Sequence, residues 1–285
     1  MAGMRDIKRR IRSITNTQQI TKAMKMVSAA KLRKAQQAVT AARPYSDKLE
    51  EVLARLVEAS NELDFDLTQK RPVKRIGYVL ITADGGLCGG YNINVIKLAQ
   101  QSMQKEEVET AVIAVGRKGR DFFRRREIPI EEEFINIGDN PNYIQARELV
   151  NVITKLFLEG TFDEIKLVYT KFLTAISQTP TVSHLLPIAP EDETEDEADL
   201  DYLFEPSGAE VLSTLLPRYV ETLVYRALLE AKASEHGARM TAMDSATTNA
   251  EEMIDKLTLS FNRARQAAIT REISEIVGGA AALDK

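Results

Sequence analysis

The spacing of apolar residues divides the chain into three stretches. From Met4 to Arg43 there is neither glycine nor proline, and the residues are mostly good helix formers. Beyond Arg43 the helical pattern continues: Ala38, Ala42, Tyr45, Leu49, Val52 and Leu56 step by 4-3-4-3-4, which is heptad spacing. Pro44 lies inside this pattern and is expected to bend it or open a short break. An arm of about 50 residues is roughly 75 Å long at the usual helical rise. From Ala209 a second helical pattern runs almost to the end of the chain. Steps of three and four from Leu212 reach Leu215, Tyr219, Thr222, Arg226, Leu229, Ala233, His236, Met240, Met243, Thr247, Ala250, Ile254, Leu257, Phe261, Ala264 and Ala268. Thirteen of these seventeen positions are apolar, a repeat sustained long enough to predict a coiled coil. Pro217 is near its start, and Gly237, in its interior, is expected to cost about 1 kcal/mol. The two long helices are expected to pair antiparallel, with the end of the longer C-terminal one projecting alone.

The middle stretch has a different rhythm. IGYVLIT (76–82), TAVIAV (110–115) and EIKLVYTKF (164–172) are short apolar runs rich in β-branched residues. Helical stretches fall between them, around 93–105, 117–126 and 141–159. Apolar strands alternating with helices predict a parallel, Rossmann-like α/β sheet. Residues 176–189 are expected to add an edge strand. The predicted organisation is an N-terminal coiled-coil helix (1–58), a central α/β domain (74–190), an acidic connecting loop (191–207) and a C-terminal coiled-coil helix (208–285).

Composition changes this picture only in part. Across 285 residues, 44% apolar and 28% charged residues fit a protein with a buried core. No run approaches the ~18 uncharged apolar residues of a membrane span, and the first residues lack the apolar core of a secretory signal. Net charge is −4 but segregated: residues 1–43 carry eleven Lys/Arg against one acid, and residues 191–205 carry nine Asp/Glu and no base. Such asymmetry points to partners rather than to fold.

Candidate chemistry is sparse. GGLCGGYN (85–92) follows a strand and precedes a helix, the position of a phosphate loop, but its spacing is neither G-x-G-x-x-G nor G-x-x-x-x-G-K-[ST]. VGRKGRDFF (115–123) has two glycines and bases at a strand–helix junction, a common simple turn. Cys88 has no histidine nearby in sequence to act as a base and reads as a buried or turn residue. His184 and His236 lie far apart without a Cys or His at ligand spacing. No catalytic residue, metal or cofactor is expected. The basic arm lacks the interleaved aromatics of a nucleic-acid surface, so no nucleic acid is expected either. His236, Arg226, Thr222 and Thr247 fall at core heptad positions, where polar residues fix register.

NTQQITKAMKMVSAAKLRKAQ (16–36), GGLCGGYN, DYLFEPS (201–207), EHGARMTAMDSATTNAEEMI (235–254) and FNRARQAAITREISEIVGGAAAL (261–283) closely resemble the gamma subunits of bacterial-type rotary F-type ATP synthases, in order and over essentially the full length. The resemblance implies a non-catalytic central-stalk rotor. In that family the paired helices turn inside a ring of three alpha and three beta subunits, and the α/β domain meets the epsilon subunit and the membrane c-ring. Proton flow is thereby coupled to ATP synthesis or hydrolysis at the cytoplasmic face of the plasma membrane. It further implies that Arg265, Gln266 and Thr270 touch the beta catch loop, with Met24 and Lys25 nearby. Ile276, Val277, Ala280 and Leu283 match the apolar bearing tip, and Tyr202, Leu203, Phe204 and Glu205 the foot. On this reading Ile20, Met24 and Val27 pack on the C-terminal helix, while Lys22, Lys25, Lys31, Arg33 and Lys34 pass under beta subunits. The sequence departs from many relatives in having Gly85 where they carry a basic residue. With Cys88 alone it lacks the cysteine pair of the chloroplast form. The alternatives are an α/β enzyme, or a coiled-coil scaffold carrying a non-catalytic α/β domain.

Overall fold

The computed structural model describes residues 3–59, 65–188 and 208–283. They form helix α1 (Met4–Ala59), strand β1 (Arg75–Ile81), helix α2 (Tyr91–Met103), strand β2 (Glu109–Val115), helix α3 (Arg117–Arg124), strand β3 (Ile130–Phe134), helix α4 (Tyr143–Leu158), strands β4 (Glu164–Phe172) and β5 (Gln178–Leu186), and helix α5 (Gly208–Leu283). The chain divides into two units, Met1–Val27 with Met240–Lys285, and Ser28–Arg239.

The larger unit contains one five-stranded sheet in the order β3-β2-β1-β4-β5. β1 pairs parallel with β2 and β4, β2 pairs parallel with β3, and β5 closes the edge antiparallel to β4. Because successive strand side chains point to opposite faces, β1 feeds two cores. Ile76, Tyr78 and Leu80 join Val112, Ala114, Val168 and the α2 residues Val95, Ile96 and Ala99. Val79 and Ile81 join Ile113, Val115, Ile165 and Leu167 under α4 and the first part of α5. Gly116 follows β2 at φ +97°, and a Cβ there would lie 2.2 Å from the Thr82 carbonyl oxygen, so only glycine fits this junction.

Four features differ from the sequence reading. First, of the two outcomes expected at Pro44 the break does not occur, since α1 runs unbroken through it. The ~3 kcal/mol penalty of an interior proline is offset by the turns that follow, where Leu49 and Leu53 enter the sheet core. Burying each is worth about 1.5–3 kcal/mol. Second, the buried line on α1 is Leu32, Ala35, Val39, Ser46, Leu49 and Leu53, whereas Tyr45 is exposed. Leu49 keeps its expected place, while Ser46 is buried in place of Tyr45, its Oγ donating to the Arg43 carbonyl of its own helix at 2.9 Å. Third, β3 has no counterpart among the expected strands, whereas the expected edge strand at 176–189 is β5, which pairs antiparallel in an otherwise parallel sheet. Fourth, Gly237 is required by packing: a Cβ there would sit 2.9 Å from the Ala175 carbonyl oxygen in the β4–β5 hairpin.

Candidate functional site

In the smaller unit, α1 and α5 run antiparallel, as two polar contacts show. Thr21 and Thr247 share a hydroxyl–hydroxyl hydrogen bond of 2.8 Å, and one turn on Lys25 Nζ donates to Asp244 Oδ1 at 2.6 Å. The numbers rise along one helix as they fall along the other. Met243 and Ala250 are buried on the same helix as Thr247. Each hydroxyl also has a carbonyl of its own turn as acceptor, Gln18 O for Thr21 and Met243 O for Thr247, so these small polar groups set register at little desolvation cost.

The residues assigned to the catch loop separate into two kinds. Met24 and Lys25 are half-buried, and Lys25 is paired with Asp244 of α5. Arg265, Gln266 and Thr270 are exposed. Arg265 and Gln266 make no hydrogen bond or ion pair among the described residues, while the Thr270 carbonyl accepts from Ser274. Ile20 and Val27 are more than half exposed, so they do not pack on α5; Thr21 holds that contact instead. Lys31 is paired with Asp139 at 2.8 Å, whereas Lys22, Arg33 and Lys34 are exposed. At the far end every side chain from Arg271 to Gly279 is exposed, including Ile276 and Val277. Ala280 and Leu283 continue the helix, but their side chains are outside those described. Tyr202, Leu203, Phe204 and Glu205 lie outside the described residues.

In the larger unit, GGLCGGYN is a clasp on α5. Asn92 Oδ1 accepts from Ala83 N at 2.9 Å and its Nδ2 donates to Cys88 Sγ at 3.2 Å, which closes the loop on itself. Tyr91 OH donates to the Ala231 carbonyl at 3.0 Å. Arg239 donates to the Gly86 carbonyl through Nε and Nη2, at 3.4 and 3.3 Å. Arg239 is held by Glu235 at 2.7 Å, and the other Glu235 oxygen takes Lys232 at 2.9 Å. The two cations hold the buried Glu235 carboxyl below its ordinary range against the opposing effect of burial, which is the largest single influence on it. Burial pushes the Cys88 thiol up, away from the thiolate a nucleophile needs.

Outside the carboxyl ends of the parallel strands, α/β folds usually bind ligands. Here Leu228, Ala231, Lys232 and Glu235 of α5 face Ile81, Thr82, Val115 and Gly116 across a space of about 10 Å³. That barely admits one water. α5 is therefore buried on every side from Ala227 to Gly237. One-face periodicity does not reveal this; the signal available in the sequence was the charged run of Arg226, Glu230, Lys232, Glu235 and Arg239 inside an otherwise small-residue helix. Glu230 is fully buried, accepting from Arg226 Nε at 3.3 Å and from the Phe172 amide. Arg226 also reaches Asp47 of α1 at 2.8 Å.

No described helix is long and apolar enough to cross a membrane. A family model described as ATP synthase matches residues 3–283. The chain is 63% identical over 283 residues to the ATP synthase gamma chain of Moorella thermoacetica, covering 99% of this chain and all of that protein. It is 56% identical to that of Desulfitobacterium hafniense, covering the full length of both. Its fold is similar to a chain in the cryo-EM structure of Euglena gracilis mitochondrial ATP synthase (OSCP/F1/c-ring, rotational state 3). The TM-score is 0.70 at 19% identity, over 98% of this chain and 94% of that one. Sequence and fold thus agree from one end to the other: the chain belongs to the family of ATP synthase gamma chains.

Proposed function

We propose that this chain is the central-stalk rotor subunit of a bacterial F-type ATP synthase. It is non-catalytic and transmits torque between the membrane c-ring and the catalytic hexamer of three alpha and three beta subunits, on the cytoplasmic face of the plasma membrane. The observation that supports this best is the end of α5: nine consecutive described residues, Arg271–Gly279, are exposed, with Ile273, Ile276 and Val277 among them. A helix gains little stability from an unburied apolar face, and such a face marks an interaction surface. An uncharged tip of small and aliphatic residues fits a sleeve in which it turns without bonds that would lock it. On this reading Ile276, Val277, Ala280 and Leu283 form the bearing. Tyr202, Leu203, Phe204 and Glu205 belong to the end that meets epsilon and the c-ring.

A turning shaft changes a catalytic site only through contacts that differ between that site's conformations. A change of about 100-fold in nucleotide affinity requires about 2.7 kcal/mol of such difference, and linkage makes it act in both directions. Arg265 and Gln266 are the free donors suited to acidic loops on beta, with Thr270 one turn further. The test is co-expression with alpha and beta, followed by single-molecule rotation of a probe fixed to this chain. The double variant Arg265→Ala, Gln266→Ala is expected to impair assembly or coupled ATPase while leaving the melting of the isolated chain unchanged. A wild-type chain that never enters the hexamer refutes the rotor reading. Unchanged coupling in the double variant refutes only the catch-loop assignment.

A further inference from the structure

The last residues of edge strand β5 pair irregularly with β4. Lys166 faces His184 and Ile165 faces Leu186, so Leu185 is an extra residue, a β-bulge. The bulge breaks the strand's alternation and sends both Leu185 and Leu186 into the core. Ile188 follows, its amide donating to the Leu67 carbonyl at 2.8 Å. An edge strand with a disrupted ladder is a place of low local stability, and at the bulge of this one the His184 side chain bridges the strands. His184 Nδ1 lies 3.1 Å from Glu164 Oε1, and Nε2 lies 2.7 Å from the Pro187 carbonyl oxygen. Both partners only accept. A neutral imidazole has one N–H, so it satisfies one of them and sets a lone pair against the other; the imidazolium satisfies both.

We propose that His184 is a pH-operated clip on the end of β5: the doubly protonated ring ties Glu164 of β4 to the Pro187 carbonyl, and loss of one ring proton to solvent releases the segment Leu185–Ile188. The charged surroundings from each neighbouring element support this. On β4, Glu164 lies beside the ring and Lys166 lies 3.4 Å from Glu164, while Lys166 is also held by Glu106, which follows α2. Asp163, just before β4, is occupied by the amides of Lys74 and Arg75. Lys70 and Arg71, ahead of β1, line the same cavity, with Arg71 bound to the Phe157 carbonyl. α5 contributes Tyr219 and Leu223. The Glu164 hydrogen bond holds the imidazolium above the usual histidine range. The clip therefore works at and below ordinary histidine pH and is lost as pH rises through the raised value. The cavity beside it, about 430 Å³, has Leu185, Ile188 and Leu223 in its lining, so the segment that the clip holds forms part of its wall.

The chain has two histidines, so histidine side-chain NMR on the full-length protein yields two titrations, and His184→Gln removes one and assigns it. The His184 ring is expected to titrate above the ordinary value. Hydrogen exchange at Leu185, Leu186 and Ile188 should accelerate beyond the intrinsic base-catalysed rise, with a midpoint that tracks the ring. The extra step should vanish in His184→Gln. If that variant does not fold, Glu164→Gln replaces it and should move ring titration and exchange midpoint down together. The proposal is overturned by a wild-type exchange profile without the step, by a step whose midpoint does not follow the ring, or by a step that survives in His184→Gln.

Discussion

Replacing Glu235 by glutamine leaves the shape of the clasp almost unchanged and removes its charge. The carboxylate is nearly fully buried, with one oxygen on Lys232 and the other on Arg239, and both cations are themselves largely buried. The glutamine amide oxygen can accept from one of them, but its NH2 group then meets the other, which is left uncompensated. Removing one partner of a buried ion pair typically costs about 3–5 kcal/mol, mostly the desolvation of the charge that remains. At about 2–4 °C per kcal/mol for a chain of this size class, the melting midpoint should fall by roughly 6–20 °C. Differential scanning calorimetry of the isolated chain at neutral pH measures this. The matched control is Glu252→Gln, whose partner Lys256 lies 3.8 Å away with both side chains largely exposed. Exposed pairs of this kind are worth about 0–1 kcal/mol, so that midpoint should hardly move. Equal and small shifts in the two variants would refute the argument that Glu235 neutralises two buried cations.

Three further outcomes follow from the packing. Gly237→Ala gains up to about 1 kcal/mol in helix propensity but forces the β4–β5 hairpin to shift, for a net loss of about 1–3 kcal/mol. Gly278→Ala, with nothing within 4 Å of its Cβ, should lose nothing; urea midpoints decide between them. Lys25→Ala should change stability by less than about 1 kcal/mol, because its pair with Asp244 is exposed. A large loss of coupling in the assembled complex would then lie in a partner contact, whereas a large loss of stability would refute that separation. Burial holds His236 below the usual histidine range, so its unfolded form binds more protons as pH falls below about 6.5. Its contribution to stability is complete above that pH and is lost on acidification. Urea midpoints from pH 8 to 5 should therefore fall less steeply in His236→Gln, with equal slopes counting against a neutral buried ring.

The parallel strands were legible because strands buried on both faces read as continuous apolar runs, as VLI and AVIAV do. β3 was not, because Ile130 and Phe134 bracket three exposed glutamates, and an edge strand carrying charge has no alternation to detect. The coiled-coil pattern correctly placed Leu212, Leu229, Ala233, Met243 and Ala250 inside. It could not report Leu216, Val220 and Val224, which face the sheet, since a heptad describes one side of a helix and α5 is covered on several. Arg265, Gln266 and Thr270 are ordinary exposed helix residues in their own chain, and only the family resemblance singled them out. The clasp was invisible for a different reason: Arg239 meets Gly86 across 153 positions, and its acceptor is a backbone carbonyl, which no side-chain pattern encodes.

The filled crevice at the strand ends has a mechanical meaning. A smooth helix gripped only by apolar contacts slips about its own axis when twisted, because such contacts have no preferred direction. Here Tyr91 reaches α5 from GGLCGGYN, while Arg239 and Arg226 reach out from α5 to Gly86 and to Asp47 of α1, and each contact ends in a directional polar bond. They act as a key in a keyway: twist loads these bonds together in shear, rather than peeling them one at a time. The α/β domain grips its helix in the place where related folds hold a nucleotide, and it has exchanged the ability to release an occupant for the ability to turn one.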